Sequence, residues 1–156
     1  MADRDEGKEV CGICAYLRDL PAERIVWEDD YWICGGLLDV PGWTLVMTKR
    51  HTEGIWSLDD EEAARFGPMM RDIAGVVKEA TGAERIHYAA MGEIAPHYHN
   101  AILPRLPGEV PVWDSNALVT RAEGNGDPVA ALRIELELKD RLRGFANNGM
   151  ASGAPS

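Results

Sequence analysis

Two histidines separated by a single residue form the most chemically suggestive pattern in this sequence. His97 and His99 lie in a run that ends in Pro104-Arg105, and they are half of the 4 histidines in the chain. If the run is a β-strand, both imidazoles point to the same face, because side chains alternate along a strand. Two imidazoles held side by side can bind a metal, or one can act as a nucleophile while the other is anchored.

A Cys-x-x-Cys pair near the N-terminus is the second chemical signal. Cys11 and Cys14 have the spacing that lets two thiolates share one cation, and zinc is the expected occupant. A tetrahedral structural site needs two more ligands, for which His51 and His97 are the candidates. Two alternatives remain open at this stage, namely a redox pair or two cysteines with no shared role.

His99 is then the histidine left for chemistry. A neutral imidazole near pH 7 is a competent nucleophile toward phosphorus, since no separate base has to deprotonate it. The alternative is a surface histidine or one that is satisfied within the core. The paired His97 and the following Pro-Arg dipeptide favour the nucleophile.

Four segments of the sequence have the patterns of β-strands. Residues 25–38 predict a hairpin that turns at Asp29-Asp30, and three further strands are predicted over 43–48, 85–91 and 97–103. Together they predict an antiparallel sheet of about five strands.

One long helix is predicted between the third and fourth strands. Ser57 and Asp60 resemble a capping box, and apolar residues then repeat at intervals of three and four as far as Ala80. Pro68 predicts a kink or a later start, and Gly82 predicts the end of the helix.

The C-terminal region is ambiguous by pattern. Leucine and isoleucine alternate with charged residues over 132–138, which favours a strand, whereas Asp127-Pro128 and two i,i+4 charge pairs favour a helix. We predict a helix. Residues 107–126 are predicted to form an irregular connection.

Length and charge restrict the class of protein. The 156 residues predict a single domain over 1–146 with a disordered tail over 147–156. A formal net charge of −10 argues against a nucleic-acid partner, although Lys49, Arg50 and Arg105 could still form a local basic pocket. Neither a signal peptide nor a membrane span is apparent, so we expect a cytoplasmic protein whose cysteines are reduced.

These motifs together resemble the histidine triad (HIT) superfamily, whose signature is His-x-His-x-His followed by two apolar residues and often Pro-Arg. The resemblance extends from Cys11 to about Arg105. It includes a segment that is similar to the family's Pro-Gly-His-x-Leu-Val-x-Pro-Lys-Arg-His sequence, at Pro41, Gly42, Leu45, Val46, Lys49, Arg50 and His51.

The resemblance implies an α+β fold with a HIT-like antiparallel sheet, one long packed helix and a C-terminal helix, assembled as a homodimer. It also implies that the central histidine, His99, attacks the α-phosphorus of a nucleotide. In the galactose-1-phosphate uridylyltransferase branch, zinc is held by a Cys-x-x-Cys pair, an upstream histidine and the first histidine of the signature. The matching residues here are Cys11, Cys14, His51 and His97.

Two departures from the family pattern concern phosphate binding. Ala101 replaces the third histidine. The Gly-Gln-Ser-Val run before the strand reads Gly92, Glu93, Ile94, Ala95, so Glu93 is either a general base or a solvated loop charge. The ribose-binding aspartate corresponds to Asp39, and Lys49 and Arg105 are the candidates for steadying phosphate.

Several other residues are assigned to packing. Tyr98 is expected to face away from the histidines and pack against a helix, Cys34 to be buried, and His87 to be structural. The five tryptophans are assigned mainly to the core or a dimer interface.

The sequence therefore predicts a zinc-containing HIT-like nucleotide hydrolase or nucleotidyltransferase. Two alternatives are a non-catalytic nucleotide-binding protein with a degenerate triad, and a specialised biosynthetic enzyme in which zinc itself is catalytic.

Overall fold

The computed structural model describes residues 11–110 and 115–145, which contain one five-stranded sheet and four α-helices. The strands are β1 (Ile25–Glu28), β2 (Trp32–Gly36), β3 (Thr44–Thr48), β4 (Arg85–Ala89) and β5 (His99–Arg105). The helices are α1 (Gly12–Asp19), α2 (Asp60–Thr81), α3 (Ser115–Asn125) and α4 (Pro128–Leu142). No described helix is both long and apolar enough to cross a bilayer.

The sheet is antiparallel throughout, with the strand order β1-β2-β3-β5-β4. Met47 of β3 lies opposite His99, and Ala101 of β5 lies between Leu45 and Ala89. The α+β architecture, the five strands and the C-terminal helix predicted from the sequence are therefore confirmed. The predicted tail over 147–156 lies outside the described residues.

The two faces of the sheet carry separate apolar clusters. Helices α2 and α4 cover one face, where they pack on side chains that include Trp32, Cys34 and Ile102. Tyr98 belongs to this cluster and its ring lies 5.9 Å from that of Phe66, so its predicted contact with a helix is confirmed. The opposite face packs against α1 through residues such as Leu45 and Ala101.

The β1–β2 turn shows why this hairpin forms where the sequence predicted it. The Asp29 carboxylate accepts hydrogen bonds from the backbone N–H groups of Tyr31 (2.8 Å) and Trp32 (2.7 Å). An aspartate that binds the backbone two and three residues ahead closes a tight turn.

The start of α2 corrects one prediction. The N-cap is Asp59 rather than Ser57, and Asp59 forms a capping box with Glu62. The Glu62 side chain is long enough to return to the N-cap N–H, whereas the shorter Asp60 side chain predicted for this role lies within the first turn. The helix runs from Asp60 through Pro68, so the delayed start is wrong, and it ends as predicted before Gly82, which has φ +68°.

Two further boundaries differ from the predictions. The 107–126 connection is not wholly irregular, because α3 occupies Ser115–Asn125. Strand β5 begins at His99 rather than at His97, since the N–H of His97 bonds the carbonyl of Ala95 in a turn. Strand alternation therefore does not determine where the His97 ring points.

Candidate functional site

Three separate parts of the chain bring four metal-binding side chains together. Cys11 and Cys14 lie at the start of α1, His51 follows β3, and His97 precedes β5. One donor atom from each residue lies within 4.8 Å of all the others. We call Cys11, Cys14, His51 and His97 the thiol–imidazole cluster. The fold thus assembles the four residues that the sequence singled out as metal ligands.

The spacing of the cluster suits a tetrahedral metal. The Cys14 Sγ atom lies 3.3 Å from Nδ1 of both His51 and His97, and the Cys11 Sγ atom lies 3.7 Å from Nδ1 of His97. Tetrahedral zinc, with bonds of about 2.3 Å to sulfur and 2.0 Å to nitrogen, would separate such S and N atoms by about 3.6 Å. The donor set and its spacing therefore fit zinc.

The His97 ring is held in the form that a metal ligand requires. Its Nε2–H donates to the Thr48 carbonyl at 2.7 Å, which leaves the lone pair on Nδ1, the atom that faces the two thiols. Burial lowers the pKa of His97 and so favours the neutral imidazole. A metal-ligating histidine commonly donates its other N–H to a carbonyl in this way.

His99 is oriented by a different hydrogen bond. Its Nδ1–H donates to the backbone carbonyl of His97 at 2.7 Å, so in the neutral ring the lone pair lies on Nε2. The side chain is half-buried and does not belong to the thiol–imidazole cluster. The two histidines therefore differ in their hydrogen-bond partners. The neutral His97 ring keeps its lone pair on Nδ1, and the neutral His99 ring keeps its lone pair on Nε2.

A cleft of about 290 Å³ lies beside His99. One wall is formed by residues 53–56, which enter the short 3₁₀ turn Ile55–Ser57, and the other is the segment 90–92 that follows β4. Tyr98 and His99 complete the lining. The cleft gives a small molecule access to His99.

Lys49 and Arg105, which were predicted to steady phosphate, lie outside the cleft beside His99. Lys49 Nζ pairs with the Glu28 carboxylate at 2.6 Å. Arg105 is six residues from His99 along β5, about 20 Å at 3.3 Å per residue, and its guanidinium bonds Glu84 at 2.9 Å. Neither cation lines the cleft beside His99. Their role in substrate binding remains a prediction.

The other two predicted substrate-binding residues are also apart from His99. Asp39, in the β2–β3 connection at φ +53°, accepts a 2.6 Å bond from Arg24. Glu93 is exposed in the segment between β4 and β5 and does not line the cleft, although Gly92 does. The sequence placed these residues by resemblance alone, which carries no information on their ion-pair partners.

Sequence reasoning missed the ion-pair network around Arg24. The guanidinium bonds Glu135 of α4 at 2.7 and 3.0 Å as well as Asp39, and the Glu135 side chain is only 3% exposed. We call Arg24, Asp39 and Glu135 the Arg24 cluster. Its members are separated by up to 111 residues, so no local sequence pattern predicts the cluster.

Sequence reasoning also missed the residues that wall the cleft. Trp32 and Trp43 are buried as predicted, but Trp56 is 79% exposed. Trp113 lies outside the described residues. A signal was available, because Ile55-Trp56 is an apolar pair next to Gly54 in an otherwise polar stretch that follows His51 directly.

No model of a protein family matches the sequence, and no curated protein matches it. Solved structures do match. A Zn-bound histidine triad family protein from Mycobacterium smegmatis is 23% identical, with coverage of 88% of this chain and 99% of that one and a TM-score of 0.64. A hypothetical histidine triad nucleotide-binding protein from Sulfolobus tokodaii is 19% identical, with coverage of 88% and 98% and a TM-score of 0.61.

A third similar structure is a Hit-like protein from Bartonella henselae, described as involved in cell-cycle regulation. It is 25% identical, the match covers 77% of this chain and 94% of that one, and the TM-score is 0.54. Each of the three matches covers at least 77% of this chain. The chain therefore has the fold of the histidine triad proteins.

Proposed function

We propose that this protein is a zinc-containing nucleotide hydrolase or nucleotidyltransferase in which His99 is the nucleophile. The observation that carries the proposal is the hydrogen bond from His99 Nδ1–H to the His97 carbonyl, which leaves the Nε2 lone pair available beside an open cleft. The histidine triad fold supports a nucleotide-like substrate, as does the similarity to the hypothetical histidine triad nucleotide-binding protein from Sulfolobus tokodaii.

In the proposed reaction, His99 Nε2 attacks the α-phosphorus of a nucleoside 5′-phosphate derivative. A nitrogen–phosphorus bond forms while the bond from phosphorus to the leaving group breaks. Water or another acceptor then displaces the histidine and releases the nucleotide. Covalent catalysis of this kind divides one difficult displacement into two easier ones.

We propose that the thiol–imidazole cluster holds zinc in a structural role. The four donors would complete a tetrahedral shell with no position left for water, which argues against catalytic zinc. Bound there, zinc supplies a cross-link between α1, the segment after β3 and the segment before β5. His97 is thereby tied in place, and its carbonyl orients His99.

Cellular location and assembly complete the proposal. Zinc binding by Cys11 and Cys14 requires reduced thiolates, and a reducing compartment such as the cytoplasm is therefore part of the proposal. A homodimer is also proposed. Strand β4 lies at the edge of the sheet, where a second copy could pair with it.

The test is turnover of adenosine and guanosine 5′-phosphoramidates and dinucleotides by the zinc-loaded chain. His99→Asn, whose amide can still donate to the His97 carbonyl, should lower kcat/KM by about a thousandfold or more because the nucleophile is lost. Acid quenching should trap a nucleotidyl group on the peptide that contains His99. His87→Asn, a histidine on β4 away from the cleft, is the matched control and should retain turnover.

Nucleotide binding without any His99-dependent turnover would instead identify a non-catalytic nucleotide-binding protein. Ala101 favours that alternative, because it stands where the family has its third histidine and offers no hydrogen-bond donor in its side chain.

A further inference from the structure

The cleft beside His99 has an unusual combination of apolar walls and acidic charge. Ile55 is 53% exposed, Met91 62% and Trp56 79%. Glu53 is the charged residue of the lining, and no lysine or arginine contributes to it within the described part of the chain. Large apolar side chains exposed together beside a reactive group indicate a binding surface.

The Trp56 ring rests against the Gly54 backbone and leaves most of its surface exposed. It lies over Gly54, where any Cβ would overlap the indole, so a residue with a side chain would displace the ring. The turn beneath it is closed by the Ser57 hydroxyl, which bonds Thr52 at 2.6 Å and Gly54 O at 2.9 Å. The exposed indole on this closed turn offers a flat face to a ring.

The same turn is anchored to the start of α2. Arg50 bonds the Ser57 carbonyl at 3.0 Å and both carboxylate oxygens of Glu62 at 2.7 and 3.1 Å, and Glu62 is buried. This pairing occupies Arg50, as Glu28 occupies Lys49. The two cations nearest in sequence to the cleft wall are therefore engaged elsewhere.

The Glu53 carboxylate favours positively charged ligands in the cleft over negatively charged ones. A second phosphate group, as in a dinucleotide, would be repelled by this carboxylate and would find no cation in the lining. A positively charged group would be attracted by Glu53 and by the face of Trp56. An aromatic ring that bears an ammonium group satisfies both features.

We propose that this cleft binds the group on the far side of the phosphorus from the nucleoside, and that this leaving group is an apolar ring with a positive charge. This inference rests on the proposed function of His99. As the Nε2–P bond forms, the leaving oxygen or nitrogen departs with the electron pair of its broken bond and takes a proton from water. A second water then cleaves the Nε2–P bond, which yields the nucleoside monophosphate and restores the imidazole.

The first test needs no turnover. The zinc-loaded full chain, with ¹⁵N-labelled tryptophan, is titrated with 4-methylbenzylamine and, separately, with 4-methylbenzoate. The amine should shift the indole N–H signal of Trp56 in a saturable way, whereas the benzoate should not. Glu53→Gln should weaken the amine about threefold, as expected for one exposed ion pair. Glu23→Gln, an exposed carboxylate outside the cleft, should leave the titration unchanged. Equal shifts with both ligands, or none with the amine, would overturn the proposal.

The second test uses adenosine 5′-phosphate aryl esters whose ring carries aminomethyl, methyl or carboxyl at the para position, with the phosphorofluoridate as the small reference. We expect kcat/KM to fall in that order of substituents. In Trp56→Ala, the ratio of kcat/KM for the aminomethyl ester to that for the fluoridate should fall about tenfold. Leu136→Ala, an exposed apolar residue on α4, should keep the ratio. An unchanged ratio in Trp56→Ala would overturn the proposal.

The two tests separate this inference from the proposed function. His99-dependent turnover without an effect of Trp56 refutes the leaving-group site alone. Selective binding of the amine without His99-dependent turnover refutes the proposed function and the leaving-group role, but supports the cleft as a site for aromatic amines.

Discussion

Two polar clusters join the N-terminal part of the chain to distant parts of the fold, and they differ in how their charges are balanced. The Arg24 cluster contains its own cation, since one guanidinium bonds two carboxylates. Every member of the thiol–imidazole cluster instead offers a lone pair, and none carries a fixed positive charge. The first cluster can be complete with protein atoms alone, whereas two cysteines packed against two imidazoles form a donor set that could hold a metal ion.

Both clusters cross-link elements that are far apart in the sequence. The Arg24 cluster connects the residues before β1 with α4, and a Cβ at Gly36 would overlap the Glu135 carboxylate, so the ion pair needs a glycine on β2. The thiol–imidazole cluster connects α1 with the segments that flank β3 and β5. Folding should therefore depend on metal at one cluster and on charge pairing at the other.

The largest effect is expected from Cys14→Ser. Loss of one thiolate should abolish stoichiometric zinc binding and lower the free energy of unfolding by more than about 4 kcal/mol, because metal loss belongs to the most destabilising class of change. Metal analysis and urea unfolding of the purified chain measure both quantities.

Cys34→Ala is the matched control for that experiment. Cys34 is fully buried on the other face of the sheet and lies outside the thiol–imidazole cluster, so its replacement should cost about 1 kcal/mol without loss of zinc. If Cys14→Ser retains one zinc per chain, the four-ligand site is wrong.

An intermediate effect is expected from Glu135→Gln. The amide cannot neutralise Arg24, but Arg24 is 28% exposed and keeps Asp39, so the free energy of unfolding should fall by about 2 kcal/mol. Glu137→Gln, which breaks an exposed pair with Arg141 on the same helix, should change it by less than about 0.5 kcal/mol. Zinc content should stay the same in both.

Double substitutions test whether the Arg24 cluster and the thiol–imidazole cluster stabilise the fold in different ways. Replacement of both Arg24 and Glu135 by methionine and leucine should recover part of the stability lost in Glu135→Gln, because no buried charge remains and the Asp39 carboxylate left behind is 44% exposed and can be solvated. No such rescue is expected for a double cysteine substitution in the thiol–imidazole cluster. Equal behaviour of the two double variants would show that the clusters do not differ in the way proposed.

The smallest effect concerns Tyr16, whose hydroxyl donates to the Gly36 carbonyl at 2.6 Å beside the Arg24 cluster. Burial raises the pKa of Tyr16 to about 12, against the opposing influence of Arg24. The unfolded chain loses this proton first, near pH 10, so the free energy of unfolding should fall as the pH rises from 10 to 12. Tyr16→Phe should cost about 1 kcal/mol at pH 8 and make that alkaline fall shallower.

Unfolding curves at pH 8 to 11 measure this effect. Part of the fall should persist in Tyr16→Phe, because burial also raises the pKa of Cys34 to about 12 from its ordinary 9. An alkaline fall of unchanged steepness in Tyr16→Phe would contradict the assigned role of the phenol.

Local sequence signals predicted much of the fold. Asp29 bonds the backbone within its own turn, and Gly82 ends α2 in a left-handed conformation, so both act within a few residues and can be recognised from the sequence. The start of α2 was wrong by a few residues because two overlapping capping patterns compete there. The α3 helix was missed because its apolar residues show only weak helical periodicity, Gly124 lies within it and Gly126 follows it.

The candidate site also combines features that the sequence predicts with features that it does not. The types and spacing of Cys11, Cys14, His97 and His99 by themselves determined which side chains could bind metal or attack phosphorus, because donor chemistry belongs to the residue. The folded structure was needed to show that Lys49 pairs with Glu28, that Arg105 pairs with Glu84, and that Trp56 is exposed beside His99. The partner of a long charged side chain and the exposure of a ring depend on residues far away in the chain, which the fold alone brings near.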